Sequence, residues 1–297
     1  MLVFVTGATG WVGSAVVKDL LQAGHSVVGL ARSDAGLDAV ARAGATALRG
    51  EVTDLDVLSR AAAEADGIVH TAFIHDFSKF AENCEIDRRA IAALSEGAGK
   101  DKPLLVTSGT AFVRPGAVAT EDSPLTLTAK EIPRVATEEA ANAAAQGGAR
   151  VCLMRLPPTV HGDGDHGFVP RLVEIARAKG VSAYIGDGAN RWPAVHRFDA
   201  ARAYRLALES GMREAKFHLV GEEGVATREI AEAIGKGLGL PVVGKTPEEA
   251  GEHFGFLAAF FSLDCPCSSA WTQRALSWTP REVGLLDDLA RGPYFAG

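Results

Sequence analysis

The chain has 297 residues, of which 30 are lysine or arginine and 37 are aspartate or glutamate, giving a net charge of −7. That length suggests about two domains, or one large α/β domain with an appendage, and the mild acidity offers no basic face to nucleic acid or an anionic membrane. Four cysteines (Cys84, Cys152, Cys265, Cys267), an opening Met-Leu-Val-Phe-Val-Thr-Gly without a basic leader, and a longest apolar run of only Phe256 to Leu263 imply a cytoplasmic, reduced, globular protein.

Short apolar runs alternate with helical periodicity along the first half. The spacing predicts strands at Leu2–Thr6, Ser26–Ala31, Thr46–Arg49, Gly67–Thr71 and Pro103–Ser108. Helices are predicted over Trp11–Ala23, Asp34–Ala43 with Ser33 as cap, Asp54–Ala65 and Ser78–Glu96. A loop from Gly109 to Ile132 precedes a helix from about Pro133 to Gln146 and a strand over Arg150–Arg155. Beyond Pro157 the pattern becomes irregular, with one clear helix at Phe168–Lys179. Strands this apolar, each followed by a crossover helix, imply an α/β fold: a Rossmann-type, doubly wound parallel sheet covered on both faces. The expected division is a dinucleotide-binding domain over residues 1–160, with returning segments near 190–220, and a small interleaved C-terminal substrate lobe over 161–297.

Between the first strand and the first helix stands Thr6-Gly7-Ala8-Thr9-Gly10-Trp11-Val12-Gly13, the one context in which a glycine fingerprint is informative. Gly7 serves the tight turn, Gly10 lets backbone approach a pyrophosphate, and Gly13 lets helix pack on strand. Amides at the helix start, with Thr9, Trp11 and Val12 around them, then face the phosphates. The second strand ends Leu30-Ala31-Arg32-Ser33 with no acid at its tip. An acid there would hold the ribose hydroxyls of NAD. Arg32 and Ser33 instead suit the 2′-phosphate of NADP(H). Asp34 is read as a first-turn acid that favours the helix dipole. Glu51 and Val52 after the third strand, and Thr71, Ala72 and Phe73 after the fourth, are further candidate cofactor contacts.

These residues resemble the short-chain dehydrogenase/reductase superfamily, in its extended and atypical, NAD-dependent epimerase/dehydratase-like branches. The resemblance rests on Thr6-Gly-x-x-Gly-x-x-Gly13, Leu105-Val-Thr-Ser108, Arg155-Leu-Pro-Pro-Thr-Val-His-Gly162 and Val195-His-Arg-Phe-Asp199, and spans about Met1 to Val220. It implies that Thr107, Leu156, Pro157, Thr159 and Val160 also contact the cofactor. It further implies a serine after the fifth strand and a Tyr-x-x-x-Lys on the next helix. Ser108 matches the serine, but Arg134 and Glu138 stand where tyrosine and lysine belong, and Asp87 where an asparagine is usual. Arginine does not deprotonate near neutrality, so Arg134 can polarise a carbonyl or bind an anion but cannot shuttle a proton. The plainer reading joins Arg134 to Glu138 as a helix-surface ion pair and leaves Asp87 a solvated charge.

Protons can otherwise come from His161, His166 or Asp163 in the loop after the sixth strand. That loop and Cys265-Pro-Cys267 lack the spacing of a metal site. Phe73, Phe112, Phe168, Phe254, Phe256, Phe260, Phe261, Trp192 and Trp271 can wall an apolar pocket. The expected function is an NADPH-dependent oxidoreductase delivering hydride to a C=O or C=N of a small, mostly apolar substrate, with Ser108, Arg134, Asp87 and His161 as candidate catalytic residues. A nucleotide-sugar epimerase or dehydratase and a non-catalytic NADP-sensing regulator are the alternatives. The expected partners are the substrate and, at most, a second copy of the chain.

Overall fold

Val3, Phe4 and Val5 are wholly buried within β1 (Leu2–Thr6), as a strand covered on both faces requires. The computed structural model describes residues 1–295 and repeats this theme along the chain. In order come α1 (Trp11–Gln22), β2 (Ser26–Ala31), α2 (Asp34–Arg42), β3 (Thr46–Arg49), α3 (Leu55–Glu64), β4 (Gly67–His70), α4 (Phe80–Ala98), β5 (Pro103–Gly109), α5 (Ala136–Gln146) and β6 (Arg150–Leu156). Then follow β7 (Thr159–His161), α6 (Phe168–Lys179), β8 (Ser182–Ile185), β9 (Arg191–His196), α7 (Arg197–Glu209) and β10 (Lys216–His218). The chain ends with β11 (Glu222–Ala226), α8 (Thr227–Leu238), β12 (Val242–Lys245), α9 (Pro247–Phe254), α10 (Leu257–Phe261), α11 (Ala270–Leu276) and α12 (Leu285–Arg291).

Two compact units result. The first comprises Met1–Ser108, Thr126–Arg155 and Ala200–Phe217, and the second Gly109–Leu125, Leu156–Asp199 and His218–Gly297. The division thus falls after Arg155 rather than at 160, and the segment Gly109–Leu125 belongs to the second unit. A long irregular loop carries no sheet periodicity, so the sequence does not reveal which core it joins.

In the first unit seven strands lie in the order β10-β6-β5-β4-β1-β2-β3. The registers joining β3, β2, β1, β4 and β5 are parallel, and Thr6 pairs with His70 at the carboxyl ends of β1 and β4. The strand order reverses between these two strands, which is where sheets of this kind hold ligands. The core beneath is built from Phe4, Ile68, Ile91, Leu94, Leu104, Val106 and Leu153, with α3 against α4 and α4 against α5. The helix predicted from Ser78 begins instead as a 3₁₀ turn, Phe77–Lys79, with Asp76 accepting from the Ser78 amide, and becomes α-helical at Phe80.

The second unit contains a three-stranded sheet, β11-β9-β7, and a parallel pair, β12-β8. Phe168, Trp192, Phe254, Phe260 and Phe261, candidates for pocket walls, close on one another instead. Ring centroids of 5.4 Å for Phe168–Phe260 and 5.2 Å for both Trp192–Phe261 and Phe254–Phe261 place them in or against the core. Phe256 remains half exposed. All four cysteines are buried and none forms a disulfide among the described residues, and burial pushes the Cys84 and Cys265 thiols up to about 11 and about 12. Among the described residues no helix is long and apolar enough to cross a membrane.

Candidate active site

The turn after β1 is shaped so that only glycine fits. Gly7 has φ +67°, and a Cβ on it would approach the Ala72 nitrogen to 2.8 Å. A Cβ on Gly13 would approach the Gly7 carbonyl oxygen to 2.0 Å and Thr71 Oγ1 to 2.7 Å. Helix α1 therefore starts tight against β1 and β4. Its N-cap is Gly10 and no side chain caps it, which leaves first-turn amides for an anion. This cradle fits a dinucleotide pyrophosphate.

At the tip of β2, Arg32 is exposed and meets no partner among the described residues. The neighbouring acid, Asp34, is ion-paired to Arg49 of β3. Ser33 caps α2, its Oγ accepting from the Gly36 amide at 3.2 Å, so its hydroxyl proton is still available to donate. Glu51 lies exposed with its amide on Asp54, while Val52 packs against the core.

A buried polar cluster occupies the carboxyl ends of β1, β4 and β5. Thr6 Oγ1 lies 2.7 Å from His70 Nδ1, and His70 Nε2 lies 2.9 Å from Asp87 Oδ1. A carboxylate accepts, so the imidazole carries a proton on Nε2, and its Nδ1 pairs with the Thr6 hydroxyl. Asp87 Oδ2 accepts from Arg134 Nη1 at 2.9 Å and from the Thr137 hydroxyl, which itself accepts from Arg134. Burial opposes ionisation of Asp87. The His70 hydrogen bond, the Arg134 charge and the Thr137 hydroxyl outweigh it and hold the carboxyl down at about 2.

Arg134 is the member of the cluster that reaches outward, with 18% of its side chain exposed. Its Nη2 donates to the Thr107 carbonyl at 3.2 Å, and its guanidinium lies over the Phe73 ring at 4.2 Å. Nε–H and one Nη2 hydrogen have no acceptor among the described residues. Thr107 Oγ1 is occupied, donating to the His70 carbonyl at 2.6 Å and paired with the buried Tyr204 hydroxyl at 2.7 Å.

Glu138 does not sit on the helix surface and does not pair with Arg134. It is 3% exposed and faces β6, where the wholly buried Arg155 donates to it through Nε (2.8 Å) and Nη2 (2.7 Å). Ser108 Oγ donates to the same carboxylate at 2.8 Å.

In the second unit His161 is oriented by Asp288, whose Oδ2 lies 2.8 Å from Nδ1 and accepts from the Tyr294 hydroxyl at 2.9 Å. Burial disfavours the Asp288 carboxylate, but these hydrogen bonds prevail and lower its pKa. His161 Nε2 is buried without a partner among the described residues. Nδ1 is committed to Asp288, so Nε2 is the ring nitrogen left to meet a ligand. Asp165, also in the second unit, is pushed up to about 6 chiefly by burial.

The profile of the NAD dependent epimerase/dehydratase family matches residues 3–220. The chain belongs to that family. Members of this NAD(P)-dependent, SDR-like group of oxidoreductases include reductases and epimerases. An uncharacterized protein of Schizosaccharomyces pombe is 48% identical over 99% of this chain and 100% of its own length. The 2'-dehydrokanamycin reductase of Streptomyces kanamyceticus is 31% identical over 97% of this chain and 78% of its own. Among solved structures, the Thermus thermophilus UDP-glucose 4-epimerase in complex with NAD shares the fold, with a TM-score of 0.76, 23% identity, and coverage of 100% and 99% of the two chains.

For this epimerase/dehydratase-family chain, the structure brings Gly7, Gly10, Gly13, Thr71, Ala72, Phe73, Asp87, Thr107, Ser108 and Arg134 into the first unit. Leu156, Pro157, Thr159, Val160 and His161 belong to the second. Sequence reasoning missed Thr137, Arg155 and Asp288, and it placed His70 at the end of the fourth strand beside the cofactor without seeing its side chain's bond to Asp87. Arg155 had a visible signal, since a cation inside the buried run Arg150–Leu156 requires a carboxylate opposite it.

Proposed function

We propose that this chain is an NADPH-dependent reductase of small neutral carbonyl compounds. The observation that carries the reading is Arg134: it stands where the resemblance places a tyrosine, its charge is fixed, and two of its hydrogens are unspent. Gly7, Gly10 and Gly13 hold the pyrophosphate, and Arg32 and Ser33 hold the 2′-phosphate. NADPH, when bound, supplies hydride to the carbonyl carbon. Arg134 donates to the carbonyl oxygen and stabilises the negative charge that grows there. Asp87, Thr137 and the Thr107 carbonyl fix the guanidinium plane. The alkoxide takes its proton from water, because Arg134 cannot release one and Asp87 is ionised.

A permanent cation at that oxygen position favours C=O over a protonated imine, which it would repel. Epimerisation needs a group that alternately takes and returns a proton, and Arg134 cannot serve; a relative named as a reductase is consistent with this. NADPH oxidation followed with a panel of ketones and aldehydes tests the proposal. Turnover that Arg134→Met removes is expected. Tight NADPH binding with no turnover of any carbonyl would replace the reductase by a cofactor-sensing protein. Arg32→Ala is expected to weaken NADPH by about 1–3 kcal/mol in calorimetric titration and to leave NADH nearly unchanged. Equal losses for both cofactors would take the 2′-phosphate away from Arg32.

A further inference from the structure

Three phenylalanines fall within the eight residues Phe73–Phe80, and none of them joins the core of the first unit. Phe73, Phe77 and Phe80 are each partly exposed, and His75 is exposed. They touch one another. Phe77 stacks on Phe80 with centroids 5.7 Å apart and planes 26° apart, and Phe80 meets Phe73 edge-on at 6.2 Å. His75 stands edge-on to Phe73 at 5.3 Å and lies 6.4 Å from Phe77. The patch is held in shape at its base, where Asp76 accepts from both the amide and the hydroxyl of Ser78 and its carbonyl accepts from Asn83.

One end of this aromatic patch is the ring under Arg134. The guanidinium stacks on Phe73, so its unspent Nε–H and Nη2 hydrogen lie at the border of the patch. The second feature is the charge balance beneath it. Arg134 is neutralised by Asp87, and Arg155 by Glu138, so this buried set has no surplus positive charge for a carboxylate or phosphate. It does have hydrogen-bond donors for a neutral oxygen.

Resting on the reductase reading, we infer that the substrate is an aryl ketone or aldehyde. Its ring packs on the Phe73–Phe77–Phe80 patch while its carbonyl oxygen accepts from Arg134. Aromatic rings pair in offset or edge-on arrangements that a saturated ring of the same size cannot make, and a guanidinium prefers a flat neighbour. Specificity then comes from planarity more than from volume.

Acetophenone and cyclohexyl methyl ketone make the matched probes. Their binding to the full chain saturated with NADP⁺ is measured by calorimetry, and their kcat/KM values with NADPH are measured separately. The wild type is expected to favour acetophenone about tenfold in both readouts. Phe77→Leu and Phe80→Leu keep an apolar side chain and should bring the ratio close to one by weakening acetophenone alone, while Phe77→Tyr should restore it. Unaltered NADP⁺ affinity and circular dichroism in the variants separate a lost ring contact from a lost fold. Equal binding of the two ketones by the wild type would overturn the inference, as would an undiminished ratio in both leucine variants. Acetophenone bound selectively but never reduced would leave the aromatic site standing and sink the reductase. Both ketones reduced equally well would do the opposite.

Discussion

Two arginine–carboxylate pairs in the first unit have a buried acid, and they end in opposite conditions. In Glu138–Arg155 both side chains are sealed from solvent, and the carboxylate is saturated by Arg155 Nε, Arg155 Nη2 and Ser108. In Asp87–Arg134 the acid is equally buried, but the guanidinium reaches solvent with hydrogens left over. The chemical parts are the same. What separates a strut from a reactive group is whether the donors have been used up. The first pair stands or falls with the fold, because removing one member strands a buried charge. The second can lose its arginine and still leave Asp87 with His70 and Thr137.

That contrast can be broken most forcefully at Glu138. Glu138→Gln leaves Arg155 without a counter-charge and is expected to cost on the order of 3–5 kcal/mol in chemical denaturation. Glu138→Lys, which restores the residue the resemblance calls for, should be worse, since it buries two cations together. An unchanged denaturation midpoint would show the pair to be dispensable. Next in size, Arg134→Met should lower kcat/KM about 10²- to 10³-fold, the range for losing a donor to a developing oxyanion, while the protein stays folded; activity near wild type would leave the open pair without a chemical role.

The third comparison is with acid. Asp87 has a depressed pKa, so its contribution to stability, on the order of 2 kcal/mol, is present above the ordinary carboxylate value near 4 and is lost as pH falls toward about 2. Denaturation curves between pH 5 and pH 2 should be flatter for Asp87→Asn than for the wild type; identical slopes would mean that the carboxyl titrates as though exposed. The smallest effect is expected at Ser108. As a donor to the closed pair, Ser108→Ala should cost about 1 kcal/mol of stability with turnover close to the wild-type value. A collapse of turnover in a stable variant would return Ser108 to the substrate.

The parallel sheet and the glycine turn were legible because each rests on local periodicity or on steric demands within a few residues. The side-chain network was not. The i,i+4 spacing suggested Arg134 with Glu138, but Arg134 lies in the 3₁₀ turn Pro133–Val135 ahead of α5, so α-helical spacing does not relate the two. Glu138 instead shares the inward face with Ala136, Thr137, Ala140 and Ala141 and meets a strand that begins twelve residues later in the sequence. His161 was singled out from its loop, yet its orienting partner Asp288 is 127 residues away, a pairing that no local pattern encodes. The aromatics divided similarly: composition cannot distinguish Phe261, wholly buried, from Phe73, partly exposed beside a guanidinium.

The ion pair between Arg49 and Asp34 has a consequence that reaches past β3. Asp34 is close enough in sequence to Arg32 to cancel its charge, and Arg49 engages it first. On the NADPH reading, coenzyme selectivity is therefore set partly by a side chain that need never meet the coenzyme. A lineage could drift between the two nicotinamide pools by changing residue 49, with the phosphate-binding turn and the reacting end left untouched.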